Sequence, residues 1–281
     1  MANQQKPSGI AWCDKTYNPV RGCRKLSAGC ARCYAAAMAP RNPRVLGTWG
    51  PDGQRVFSAP GWEARFDAWE KKAAKAGKPM RIFVNSMWDP GEGADRDGKE
   101  GRDGPRPEYL PVLNKLVEIA HRCPHLRLQM LTKRPWNLVH WWRNADLDGW
   151  PANLWVGAST EDQATANERI PWLLRLPAAV RFLSVEPMLG PVDVGFMGTI
   201  PKDIAPRYTM VYQRISWVVA GAESGPKARP MDLAWVRSLR DQCVAAGVPF
   251  FLKQAMVAGK LVSLPELDGK VWDEFPAEVA P

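Results

Sequence analysis

Six short apolar runs recur beyond residue 80, and they constrain the fold more than any other feature of the chain. They are RIFVNS (81–86), LRLQMLT (126–132), LWVGAS (154–159), VRFLSVE (180–186), SWVVAGAE (216–223) and PFFLK (249–253). They are near-continuous rather than alternating, and rich in β-branched and aromatic residues. That is the pattern of parallel strands covered on both faces. Amphipathic helical patterns separate several of them. The clearest is 231–247, with Leu233, Val236, Leu239, Cys243 and Val244 on one stripe and Gly247 as its stop. Others cover 61–77, 109–122 and 161–176, the last interrupted by Pro171.

Strand and helix in alternation predict an α/β fold with a parallel sheet. With a seventh strand near 10–20, the expectation is a parallel β/α barrel, partial rather than closed, forming a single domain over 1–281. Two stretches break the rhythm. Residues 41–60 are rich in Pro and Gly and read as an irregular excursion. DPGEGADRDGKEGRDGP (89–105) is Gly- and charge-rich, which predicts a mobile insertion over 89–108.

In such a barrel, residues following each strand gather at one end, where active sites sit. Here the strand ends are polar: Asn85-Ser86 with Asp89, Thr132-Lys133-Arg134, Ser159-Thr160-Glu161, Glu186, Glu223-Ser224 and Lys253-Gln254. One such end could be only a helix cap, as Ser159 could be. Six from six strands point to a site.

Half of the six cysteines lie in one loop, GCRKLSAGCARCYA, at Cys23, Cys30 and Cys33. Clustered cysteines with no apolar signal segment or membrane-length run point to metal or catalysis in a reducing cytoplasm, not to disulfides or a membrane. Cys123 and Cys243 stand alone in apolar helical stretches and read as core residues. Two centres suit the trio. Structural zinc takes four ligands, and Cys13 would have to supply the fourth. A [4Fe–4S] cluster with three protein thiolates leaves one iron open for chemistry. Gly22 and Gly29 directly precede ligands and would let the backbone approach it closely. Tyr34, after the last cysteine, offers a ring for an aromatic base.

A three-cysteine loop after the first strand of a β/α barrel resembles the radical S-adenosylmethionine (SAM) superfamily, although the usual loop has three and two residues between cysteines and this one has six and two. Over nearly the whole chain, IAWCDKTYNPVRGCRKLSAGCARCYA, VNSMWDP, LTKRP, WVGASTEDQ, RFLSVEPMLGPVD, GAESGPKARPMDLAWVRSLRDQC and PFFLKQ resemble the phage Gp37/Gp68 family, a three-cysteine-motif domain of unknown function. That family usually has Thr where this chain has Cys13, which counts against Cys13 as an essential ligand.

The resemblance implies a cluster held by Cys23, Cys30 and Cys33, with SAM on the fourth iron. It implies an electron from an external donor of flavodoxin or ferredoxin type, and a 5′-deoxyadenosyl radical that abstracts hydrogen from substrate. By position, Asn85 and Ser86 would hold the SAM amino group, Ser159 and Glu161 its ribose, and Tyr34 its base. Glu186 and Glu223 would bind cofactor or a cationic substrate, or share a proton. Lys133, Arg134 and Lys253 would face a carboxylate or phosphate.

Charge bears on the substrate. Of a net +9, the first 60 residues carry +7: Lys6, Lys15, Arg21, Arg24, Lys25, Arg32, Arg41, Arg44 and Arg55 against Asp14 and Asp52. That segment and the phage resemblance point toward a DNA base or a nucleotide as substrate, in the host cytoplasm if the chain is phage-encoded. Most of the fourteen tryptophans, Trp141, Trp172 and Trp235 among them, read as packing. Two alternatives stay open on the residues alone. One is a nucleic-acid-binding protein with structural zinc at the cysteines and no radical chemistry. The other is a metal-dependent barrel hydrolase, disfavoured because His121, His125 and His140 lie away from the strand ends.

Overall fold

The structure, a computed structural model, describes residues 9–96, 99–195, 214–225 and 227–277. Seven parallel strands lie side by side in chain order: β1 (Lys15–Thr16), β2 (Met80–Phe83), β3 (Leu126–Thr132), β4 (Leu154–Ser159), β5 (Arg181–Val185), β6 (Trp217–Gly221) and β7 (Phe250–Val257). An eighth, β8 (Lys260–Ser263), returns antiparallel on β7 as a hairpin. Helices α1 (Tyr34–Met38), α2 (Ala64–Ala76), α3 (Leu110–Arg122), α4 (Pro135–Asn144), α5 (Gln163–Leu173) and α6 (Leu233–Ala246) fill the connections. Every expected strand is present. The helix expected over 161–176 runs from Gln163 through Pro171 to Leu173, begun by a capping box in which Asp162 accepts from the Thr165 amide.

Both faces of the sheet are buried, and successive residues serve opposite sides. Ile82, Val84, Leu128, Met130, Val156, Ala158, Leu183, Val185, Val218 and Phe250 join the cluster under the helices, with Leu113, Leu116 and Val117 of α3 and Val236, Leu239 and Cys243 of α6. Phe83, Trp155, Phe182, Trp217, Val219 and Phe251 turn the other way, around Trp12. In a flat sheet β1 and β6 would stand roughly 24 Å apart, five strand spacings. Yet the rings of Trp12, just before β1, and Trp217 lie 6.1 Å apart, and Trp12 to Phe83 is 4.6 Å. The sheet therefore curls into a half-barrel around an aromatic plug. Gly157 makes room for that plug, because a Cβ there would fall 2.5 Å from the Phe182 ring.

The plug seals the amino-terminal end of the strands. Further along the same inner face the residues turn polar (Ser159, Ser184, Glu186, Lys253), leaving the carboxyl-terminal end open to the chemistry of its loops.

Candidate functional site at the mouth of the half-barrel

A cavity of about 560 Å³ occupies this end, within the range of small-molecule and cofactor sites. Cys23, Cys30 and Cys33 line it, together with Tyr34, Asn85, Ser86, Ser159, Ser184, Glu186, Glu223 and Lys253. The cysteine loop thus lies over the strand ends, as its place after β1 requires. All three thiols are free of disulfides. Burial pushes the Cys23 thiol well up, against the opposing pull of the Arg134 guanidinium.

Cys23 and Cys33 each have an ionic tether beside them, and near Cys30 a hydrogen bond runs to a buried carboxylate. Next to Cys23, the Arg24 carbonyl accepts from Arg134 Nη2 at 2.9 Å. Arg134 is fully buried and pairs with Asp89 and Glu100, each at 2.7 Å. The Arg24 amide donates to the Glu92 carboxylate at 3.4 Å. Glu92, also fully buried, collects Arg55, Arg106 and the Tyr109 hydroxyl. Three residues before Cys30, the Ser27 hydroxyl donates to Glu161 Oε1 at 2.8 Å. Next to Cys33, Arg32 pairs with Glu223 at 3.4 Å, and Glu223 also takes Arg229 Nε at 3.0 Å. The Arg229 hydrogen bonds hold the Glu223 carboxyl below its ordinary range.

The first residues of the insertion expected over 89–108 pack into the protein. Asp89, Gly91, Glu92 and Gly93 are buried, and their carboxylates are consumed by Arg134 and Arg55. Residues 97 and 98 of that insertion lie outside the described residues. The glycines of the cysteine loop also serve a different neighbour. A Cβ at Gly29 would run into the Glu161 carboxylate, and Gly22, at φ +103°, passes within 3 Å of the Gln54 carbonyl when a Cβ is built on it. Close packing of the loop on its own protein requires both.

Glu161 is the one expected ligand-facing residue that does not line the cavity. It is fully buried between Lys133 (2.6 Å) and Arg169 (2.9 Å). Burial pushes its carboxyl up, but those two cations and the Ser27 hydroxyl outweigh it and hold it down at about 2. It positions the loop. Asn85 lines the wall, yet its amide is spent on the Trp88 and Leu131 carbonyls and the Leu131 amide. The Ser86 hydroxyl is bonded to Asn18. Glu186 and Glu223 do not act as a pair, because each has its own cation: Lys253 lies 2.8 Å from Glu186. The Tyr34 hydroxyl donates to the Ser86 carbonyl at 2.8 Å, fixing its ring at the rim, where burial raises its phenol to about 12.

Sequence reasoning missed Glu92 and Arg169. Neither sits at a strand end; the partners of Glu92 are far away in the chain, whereas Arg169 reaches back from α5 to Glu161 and the Ser159 carbonyl. Cys13 belongs to the aromatic plug and does not line the cavity. None of the three histidines lines it, whereas Cys123 and Cys243 are buried as expected.

Among the described residues, no three His, Cys, Asp or Glu side chains converge as ligands of one metal ion. A tetrahedral ion would draw sulfurs to about 3.8 Å of one another, from Zn–S bonds of ~2.3 Å. The thiolates of an iron–sulfur cluster each bind a separate iron and need not meet at one point. The donor set of three soft thiols facing one roomy cavity fits such a cluster. No described helix is long and apolar enough to cross a membrane. Neither the curated proteins nor the solved structures contain a match to the chain. A model described as a protein of unknown function, DUF5131, matches residues 7–276, and the chain belongs to that family.

Proposed function

We propose that this protein is a radical SAM enzyme of the reducing cytoplasm. The observation that carries the reading is the meeting of three free thiols with seven parallel strand ends in one cavity. In this reading Cys23, Cys30 and Cys33 hold a [4Fe–4S] cluster and SAM completes it. When bound, that pair supplies one-electron cleavage of the sulfonium, and with it a carbon radical able to take hydrogen from an unactivated C–H bond.

The chain's own residues bind, orient and exclude water. The ion pairs beside the cysteines hold the thiols in place before anything binds. The Tyr34 ring, pinned through its hydroxyl, offers a face to an aromatic base. Ser159 and Ser184 are small hydroxyls on the inner face, suited to ribose. The Glu186–Lys253 pair presents both charge signs to a zwitterionic or anionic ligand. The aromatic plug closes the far end against water. An external flavodoxin or ferredoxin supplies the electron, and a nucleobase of DNA or a nucleotide is the substrate.

The test is anaerobic iron–sulfide reconstitution of the wild type and of a C23A/C30A/C33A variant, each assayed with SAM and dithionite for 5′-deoxyadenosine. About four irons per chain and SAM cleavage that needs the cysteines are the expected result. A colourless protein holding one zinc and leaving SAM intact would refute it.

A further inference from the structure

A second cavity, of about 900 Å³, lies between the end of β1 and helix α2 and shares no lining residue with the first. Its walls carry three aromatic rings, Tyr17, Trp62 and Trp69, and three cations, Arg21, Arg65 and Lys72. Among the described residues, no acidic side chain lines it. Helix α2 and its entry segregate charge to produce this. Trp62, Arg65, Trp69 and Lys72 follow helical spacing along the groove. The acids turn to the neighbouring face, where Asp67 pairs with Arg122 (2.8 Å) and Glu70 with His125 (2.6 Å), while Glu63 also acts on Arg122. Among the described residues no carboxylate pairs with Arg21, Arg65 or Lys72, and the buried Arg21 Nε has no hydrogen-bond partner.

The rings are arranged as a platform. Tyr17 and Trp62 stack at 5.6 Å and 16°, and Trp69 stands edge-on to Tyr17 at 6.3 Å. Trp62 and Trp69 keep part of their surface outside the core. Stacking rings interleaved with unpaired cations match single-stranded nucleic acid, whose unstacked bases offer π-faces and whose backbone offers one phosphate per nucleotide. A duplex hides the faces that such a platform would use.

We infer that this groove binds single-stranded nucleic acid, with bases on Trp62 and Trp69 and phosphates on Arg21, Arg65 and Lys72. The groove adjoins the catalytic cavity through one hydrogen-bonded post. Asn18 bonds Ser86, which lines the cavity, and its carbonyl accepts from Ser58 and Arg21, which line the groove. A strand lying in the groove can therefore carry its next nucleotide toward the thiols. That delivery rests on the radical reading, whereas the binding does not.

The test uses the full chain and a fluorescently labelled single-stranded DNA oligonucleotide of mixed sequence, followed by anisotropy at several salt concentrations. Arg65 and Lys72 are exposed, so R65E/K72E changes charge without touching the core. It should weaken binding by about tenfold or more and lower the salt slope by about 1.4, ~0.7 for each phosphate no longer neutralised. The control K75E/K78E makes the same charge change on exposed lysines outside the groove and should weaken binding far less. Equal losses from both pairs, no binding by the wild type, or equal affinity for the matching duplex would each overturn the inference. Assaying 5′-deoxyadenosine formation in R65E/K72E separates the two readings. SAM cleavage that survives the loss of DNA binding supports the groove as a binding element distinct from the cavity, and DNA binding by a wild type that leaves SAM intact would sink only the radical reading.

Discussion

Replacing Glu161 by Gln tests whether the cysteine loop is held by buried charge. The side chains are nearly isosteric, so the change removes a charge and leaves the shape. In the native state the carboxylate sits between Lys133 and Arg169, with Ser27 donating to it. Its pKa falls from 4.5 to about 2, and a depression of that size is worth about 3 kcal/mol at neutral pH. The same figure follows from the general cost of stranding a buried charge, about 3–5 kcal/mol, here the Arg169 guanidinium. The sign follows from linkage. A carboxyl whose folded pKa is depressed contributes its stability above the unfolded value and loses it as pH falls from 4.5 toward 2. Protonated Glu161 is as neutral as the glutamine of E161Q, so the two proteins must converge in acid. Urea unfolding followed by tryptophan fluorescence should show E161Q about 3 kcal/mol less stable at neutral pH, with the gap narrowing by about 1 kcal/mol near pH 3.5. Alkylation of Cys30 should also be faster in the variant, because the Ser27 tether is weakened. A gap below about 0.5 kcal/mol, the range of an ordinary surface change, or one independent of pH, would refute the clamp.

Three more substitutions test the same architecture. R134L leaves Asp89 and Glu100 without their buried cation and should cost about 3–5 kcal/mol in urea unfolding; a loss under 1 kcal/mol would mean that the pairs are not formed. G29A forces the Glu161 carboxylate from its seat, so it should reproduce the faster Cys30 alkylation of E161Q, and an unchanged rate would contradict the packing. G157A puts a methyl 2.5 Å from the Phe182 ring and should destabilise by about 1–3 kcal/mol, with F182L recovering part of the loss; no loss would mean that the plug is loosely packed.

The parallel strands were legible because burial on both faces makes each an unbroken apolar run, and their order in the sheet simply follows the chain. The start of α4, the helix that contains Trp141, was not, because Pro135 directly after T-K-R does not look like the opening of a helix. In the structure that proline occupies the first turn, where its missing N–H costs nothing. The β7–β8 hairpin was likewise overlooked, though Ala258 and Gly259 both take positive φ, the signature of a two-residue turn. In the site, the three cysteines announced themselves by spacing. The division of labour among the carboxylates did not. Glu161, Glu186 and Glu223 look alike as strand-end acids, and only the cations that fold against them, near and distant in sequence, decide which props a loop and which faces the cavity. The opening of the 89–105 segment, residues 89–93, is buried for the same reason. Glycine and charge predict solvation until Arg55 and Arg134, far away in sequence, turn out to need those carboxylates.

That pairing also changes the meaning of the basic amino-terminal segment. Arg24, Arg32 and Arg55 are directed at Glu100, Glu223 and Glu92, so these three cations bind the cysteine loop to the barrel mouth and are not spare for a polyanion. Arg21 points instead into the groove beside α2. A loop closed by its own ion pairs does not depend on a metal for its fold, unlike a zinc staple, whose binding energy is its folding energy. Chelation should therefore strip any bound metal and leave a chain that still unfolds in one cooperative transition, its midpoint lowered only by the binding energy that the metal had contributed. Loss of the cooperative transition on chelation, restored by zinc alone, would mean that the metal builds the loop, and the ion pairs beside Cys23 and Cys33 would then be a consequence of the fold instead of its cause.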